Sequence, residues 1–135
     1  PRPSSPIEVG IAQPGELGVP EGEGPGENCD AAGTLAMGTP ETQTINQGEE
    51  HWYLFSIDGG GDRHVSIDWL VAVDPQATDI FTGVDCPTKT FADSILDDEC
   101  FTVGADAGKN CYVMVRPPMT GSGVYVLTGD TGACP

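Results

Sequence analysis

Positive charge is the scarcest feature of this chain: Arg2, Arg63, Lys89, Lys109 and Arg116 stand against 21 acidic residues, for a net charge of −16. A surface of that sign repels phosphate backbones and anionic headgroups, which excludes nucleic acid as a partner. Histidine is scarce too, with only two. With no CxxC or CxxCH spacing either, zinc, haem and thioredoxin-type chemistry lack their ligands. No apolar run approaches the roughly 20 residues of a membrane helix, so no membrane span is expected. Helical periodicity is absent, as is any GxSxG nucleophile motif. His51 and His64 fall within extended segments, and the adjacent pairs Glu49-Glu50 and Asp97-Asp98 read as solvated surface carboxylates. The chain is therefore not expected to be an enzyme.

What is present begins with five cysteines, at positions 29, 86, 100, 111 and 134. Disulfides are the natural use for them, although spacing alone leaves the pairing open. The expected pairs are Cys29 with Cys134, stapling the two ends of the domain, and Cys86 with Cys100, closing an acidic loop. Cys111 would then be free, buried or bonded to another subunit. Disulfides place the protein in a secreted, extracellular or cell-surface setting. The sequence shows no signal-peptide pattern, and a mature, processed form is expected.

Residues 1–26 hold six of the twelve prolines and six glycines, which excludes a helix and disfavours a central strand. This tail is not a featureless spacer. Ile7, Val9 and Ile11 alternate with Glu8 and Gly10, and Leu17 and Val19 repeat the period of two, as in a strand with one buried face. Burying five aliphatic side chains yields about 8–15 kcal/mol. Ordering a dozen or more residues costs about as much, at roughly 1–2 kcal/mol each. Backbone pairing with an exposed sheet edge would tip that balance, so the tail is a candidate donor strand to a neighbouring molecule or an ordinary edge strand of its own domain.

Between tail and domain lies Glu21 to Asp30, in which four carboxylates and the Asn28 side-chain carbonyl are spaced by glycines. Several oxygens in a bendable backbone suit a hard cation. A solvated acidic linker accounts for the ten residues equally well.

From there the chain reads as short strands: Thr34 to Met37, Thr42 to Ile45, and His51 to Ile57 with Tyr53, Phe55 and Ile57 on one face. Asp58-Gly-Gly-Gly-Asp62 is a turn. Val65, Ile67, Trp69, Val71 and Val73 then alternate as the principal core strand. Asp79 to Thr82 is a further strand, and Gly83 to Glu99 reads as a long acidic loop. Cys100 to Val103 and Cys111 to Arg116 read as the arms of a hairpin, and Val124 to Thr128 closes the domain. Seven or eight short strands separated by turn signals predict an all-β, antiparallel sandwich of jelly-roll type over residues 27–135. Trp52 lies opposite Tyr53 and Phe55. It is thus a candidate ligand contact, for instance for a polysaccharide, or part of an edge covered by the tail.

The order of these elements resembles the bacterial pre-peptidase C-terminal domain family, which includes the collagen-binding modules of clostridial collagenases. The matching stretches are Glu27-Asn28-x-Asp30 with Ala31-Ala32, Gly48-Glu-Glu-His-Trp-Tyr-Leu-Phe55, and Asp79-Ile-Phe-Thr82. Gly108-Lys-Asn-Cys-Tyr-Val-Met-Val115 and Gly121-Ser-Gly-Val-Tyr-Val-Leu127 complete it, over about residues 27–129. The cysteines and the acidic stretch before Cys100 are additions to the family pattern. The resemblance implies a secreted, non-catalytic sandwich that binds Ca²⁺ at its N-terminal entry. Its ligands would be Glu27, Asn28 and Asp30, joined by Glu21 or Glu23 from the linker and Glu49 or Glu50 from the next loop. Two functions are expected from the whole. The first is a structural subunit that polymerises head to tail into extracellular fibres through its N-terminal strand. The alternative is a polysaccharide- or protein-binding accessory module of a secreted enzyme system.

Overall fold

The computed structural model describes residues 24–135. Ile7, Val9, Ile11, Leu17, Val19 and Glu23 therefore lie outside the described residues. The strands are β1 (Gly33–Thr34), β2 (Glu41–Asn46), β3 (His51–Ser56), β4 (Arg63–Val71), β5 (Thr78–Gly83), β6 (Thr90–Ile95), β7 (Glu99–Val103), β8 (Asn110–Val115) and β9 (Ser122–Thr131). A 3₁₀ turn, Cys29–Ala31, precedes them. One sheet has the order β2-β9-β4-β7 and the other β1-β3-β8-β5-β6. From β2 to β9 every connection except β5–β6 crosses between the sheets, which is the strand order of a jelly roll. The expected sandwich is found, with nine strands rather than seven or eight. One pair departs from the antiparallel expectation, since β1 runs parallel to β3 at Gly33–Tyr53 and Thr34–Leu54.

The period-two pattern sorts side chains as anticipated along most strands. Tyr53 and Phe55 from β3, Val65, Ile67 and Trp69 from β4, Ile80 from β5, Val113 and Val115 from β8, and Tyr125 and Leu127 from β9 form one buried core between the sheets. Leu35 and Ile57 close its ends. The burial pattern fails at Val71 and Val73, which are exposed: Val71 is the last residue of β4 and pairs with Val124 beyond a register shift, and Val73 lies past the strand. The Asp58–Asp62 turn forms as expected, and Arg63 steadies it by donating to the carbonyls of Gly59 and Gly61 at 2.7 and 2.8 Å.

Three expectations are corrected. Gly83 to Glu99 is not one loop, because β6 pairs with β5 inside it. As an edge strand with only Ile95 buried, β6 carries no alternation that would announce it. Cys100–Val103 and Cys111–Arg116 are not a hairpin either: β7 pairs with β4 in one sheet and β8 lies between β3 and β5 in the other. The disulfides are Cys29–Cys86 and Cys100–Cys134, not Cys29–Cys134 and Cys86–Cys100. Cys29 sits on the outer face of the five-stranded sheet, where the stretch after β5 brings Cys86 over it. Cys100, on β7, meets the C-terminal segment at the far edge of the other sheet, where Cys134 also accepts placement by donating its N–H to Thr102 Oγ1 at 2.9 Å. Cys111 points into the core, and burial pushes its thiol up to about 12, which removes it from crosslinking.

The outer face of the five-stranded sheet carries a second apolar cluster. Trp52, Tyr112 and Met114 are buried there beneath Cys29, with Leu54, Phe81 and Cys86 packed around them. Farther along that face Asp79 is buried, with Arg116 and Ser94 donating to its carboxylate. A sheet face that would ordinarily be solvated is therefore covered by the entry turn and by the stretch between β5 and β6, locked together by Cys29–Cys86.

Candidate functional site

The N-terminal entry is held by backbone pairing and by close approach of its turns. Gly26 and Trp52 exchange backbone hydrogen bonds, both at 2.9 Å, so the incoming chain adds itself to the edge of β3 before β1 does so again. This pairing draws residues just before Glu27 into the sandwich. The turn folds back tightly: a Cβ at Gly26 would lie 1.8 Å from the Ala31 carbonyl oxygen, and one at Gly33 would lie 1.7 Å from that of Gly24. Only glycine permits these approaches.

The entry and the β2–β3 loop enclose a half-open groove of about 370 Å³, lined by Pro25, Gly26, Glu27, Gly48, Glu49, Glu50 and His51. Three expected or alternative cation ligands, Glu27, Glu49 and Glu50, thus share one groove. Glu49 accepts from the Asn46 backbone N–H at 2.8 Å, and this bond holds its carboxyl below the usual range. Glu50 accepts from the Trp52 indole at 3.0 Å. The second Glu49 oxygen accepts from the Asn46 side-chain amide at 3.5 Å.

The other expected ligands are placed differently. Asn28 turns its side-chain oxygen onto the Ala31 N–H at 2.9 Å, capping the 3₁₀ turn. Asp30 lies within that turn and is exposed, outside the groove lining. Ca²⁺ takes six to eight oxygens. Among the described residues, no three His, Cys, Asp or Glu side chains are gathered in a way that would hold a metal. The groove supplies charge of the right sign and hardness, but its described side chains do not close around a point.

Trp52 corrects the expectation of an exposed ligand contact. It does face away from Tyr53 and Phe55, but it is only 7 % exposed. Its ring stacks on Phe81 with centroids 5.9 Å apart, and Lys89 Nζ lies 5.6 Å from its centre. Its cover is Cys29 with Ala32 and Cys86, whereas the expected cover by the tail falls on residues outside the described ones. On the same face, Phe91 is 61 % exposed and packs edge-on against Phe81 at 5.9 Å.

A polar chain that spacing does not reveal runs inward from the groove. His51 Nδ1 lies 2.7 Å from the Tyr125 hydroxyl, which lies 2.7 Å from the Tyr53 hydroxyl. Both tyrosines are fully buried. The alternation of His51 with Trp52 and Tyr53 signals that His51 and Tyr53 share a face. Their link is Tyr125, on the opposite sheet, which only the jelly-roll order brings into reach.

Fold and site together define an all-β, jelly-roll sandwich stapled by two disulfides, with an acidic groove where its chain enters. No protein-family model and no curated protein matches the chain. Among the described residues no helix is long and apolar enough to cross a membrane.

Proposed function

We propose that this protein is a secreted, non-catalytic structural subunit that assembles head to tail into extracellular fibres, residues 1–20 of one copy adding as a strand to the next. The observation that carries this reading is the manner of entry: the chain pairs with an open strand edge at Gly26–Trp52 and again at β1. The apolar alternation of Ile7, Val9 and Ile11 equips the preceding segment for the same kind of pairing. β2 and β7 bound one sheet and β1 and β6 the other, and β2 and β6 are edges that could receive it. A heterologous contact of this kind propagates unless rotation closes it. Two disulfides fit a compartment outside the reducing cytoplasm, and the resemblance to the pre-peptidase C-terminal family agrees with a secreted sandwich.

Deleting residues 1–20 is expected to abolish fibres seen by negative-stain microscopy while leaving a folded monomer; persistence of fibres without the tail rejects the assembly. A polysaccharide- or protein-binding accessory module is the second reading, and the exposed ring of Phe91 favours it over Trp52. An intact chain that stays monomeric but is retained on a glycan column would select that reading.

The groove is proposed to bind Ca²⁺ through Glu27 and Glu50, with Glu49, Asn28, Asp30 and Glu23 as the remaining expected ligands. A single site at a hundredfold excess over Kd adds about 2.7 kcal/mol. Millimolar Ca²⁺ is therefore expected to raise the thermal midpoint by several degrees, and Glu27→Gln and Glu50→Gln each to remove most of the rise, whereas Asp30→Ala, outside the groove, tests the ligand expected from the sequence. No shift with Ca²⁺ in the intact chain leaves the acidic entry as a solvated linker.

A further inference from the structure

We propose that β2 is the strand that receives the tail: residues 7–11 of one copy pair with Thr42 and Thr44 of the next, their aliphatic side chains turned toward Ile45. This rests on the strand-addition reading above and names its acceptor. Four strands lie at sheet margins, β2 and β7 in one sheet and β1 and β6 in the other. Three of them are closed. The chain's own entry covers β1, because a Cβ at Gly33 would lie 1.7 Å from the Gly24 carbonyl oxygen and Gly26 pairs with Trp52 on the same side of β3. The C-terminal segment is fastened to β7 by Cys100–Cys134 and by the bond from the Cys134 N–H to Thr102 Oγ1. β6 is plugged by its own side chain, since Asp93 Oδ1 accepts from the Ser94 N–H at 2.8 Å where the carbonyl of an added strand would sit. Ala92 has no partner where the register against β5 shifts, which bends that edge. Asp93 pairs with Ile80 and so stands on the core side, and a charge there opposes an added apolar strand.

β2 has no such plug over its middle. At its end Asn46 gives its N–H to Glu49 Oε1 at 2.8 Å instead of to β9, so the Asn46 backbone faces outward. Residues bonded to the partner alternate with outward-facing ones along an antiparallel ladder. Thr44 and Thr42 therefore turn their N–H and C=O groups away from β9 as well. Among the described residues no backbone group from outside the sheet reaches them. At Gly24 the chain's own entry nears β2 on its core side, where a Cβ would lie 3.9 Å from Glu41 Oε2 and Gln43 Nε2, and it leaves Thr42 and Thr44 uncovered.

The side chains of β2 suit the tail. Thr42 and Thr44 are exposed, Glu41 and Gln43 are half-buried, and Ile45 is fully buried in the core. Ile7, Val9 and Ile11 recur at every second position, so an added strand continues this pattern. The aliphatic residues then lie on the core side with Ile45, and Glu8 and Gly10 lie in solvent with the threonines. Seventeen positions separate Ile7 from Gly24. Fully extended, that length of chain spans about 56–61 Å, whereas a domain of this size is about 35 Å across. The segment is long enough to reach a second copy.

The test uses the full chain. Thr44→Pro deletes an outward N–H and no ladder bond to β9, a placement that an edge strand accepts. It is expected to abolish fibres in negative stain and to leave a folded monomer by circular dichroism. Thr44→Val, which keeps the N–H, and Ser94→Pro on β6 are expected to retain them. Hydrogen exchange of the unmodified chain gives a reading that does not depend on how any variant folds. The Thr42 and Thr44 amides are expected to exchange at least about tenfold more slowly in fibres than in the dilute monomer. Fibres that survive Thr44→Pro, or that keep these two amides in fast exchange, reject β2 as acceptor and leave strand addition standing. Protection already complete in the monomer means that the chain's own tail occupies β2, which also overturns the proposal. A full chain that never assembles rejects strand addition itself, and the acceptor with it.

Discussion

Reduction of the two disulfides is expected to remove most of the stability of the domain. Cys29–Cys86 closes a loop with a sequence separation of 57, and Cys100–Cys134 one of 34. Loop-closure entropy assigns about 4 kcal/mol to each, against the roughly 5–15 kcal/mol that holds an ordinary domain folded. The two staples also act on different parts. Cys29–Cys86 fixes the entry turn over the outer cluster, so opening it uncovers Trp52, Tyr112 and Met114. Cys100–Cys134 ties the terminal segment to edge strand β7, and its loss frays one edge. Urea titration with and without dithiothreitol should show a large fall in midpoint. Paired Cys→Ala variants should show the Cys29–Cys86 loss accompanied by a steeper rise in dye binding to exposed apolar surface. Equal midpoints under oxidising and reducing conditions, or peptide maps joining Cys29 to Cys134, would contradict the arrangement.

The second large effect is expected from Trp52→Ala, at about 3–5 kcal/mol. The indole is almost wholly buried, stacks on Phe81, underlies Lys89 and donates to Glu50. Its removal opens a cavity beneath the disulfide-locked cover and releases one carboxylate of the groove. Trp52→Phe separates these contributions, since it keeps a ring for Phe81 and loses mainly the bond to Glu50, at a cost of about 1 kcal/mol. Chemical denaturation of the two variants gives the comparison. If Trp52→Ala unfolds at the same denaturant concentration as the parent, the outer cluster is not a second core.

These two effects mark where sequence and structure part company. The inner core was legible because Tyr53 and Phe55, Val65 and Ile67, and Tyr125 and Leu127 each follow a period of two with one face buried, a signal local to each strand. Trp52 carries the same period with opposite phase, which correctly places it on the other face. Whether that face is wet depends on a cover drawn from residues 29–32 and 84–89, which has no periodicity. The same limit applies to β6, whose edge position leaves Thr90 to Ser94 exposed or partly exposed, and to the cysteines, whose partners depend on how separate edges meet. At the site, Glu27, Glu49 and Glu50 were identifiable as carboxylates near the entry. Their sharing of one groove follows from the Gly26–Trp52 pairing, and the glycines that allow it do not announce a partner strand.

The position of β9 sets the order in which this molecule can become itself. It pairs with β2 from Glu41 to Asn46 on one side and with β4 from Arg63 to Val71 on the other, so the four-stranded sheet has no centre until residues 122–131 arrive. Strand partners so distant along the chain make folding slow, on the scale of milliseconds to seconds. While the chain is being synthesised, β2 and β4 have no common neighbour to join them and the core has only one wall. Such a chain stays open until nearly all of it is available.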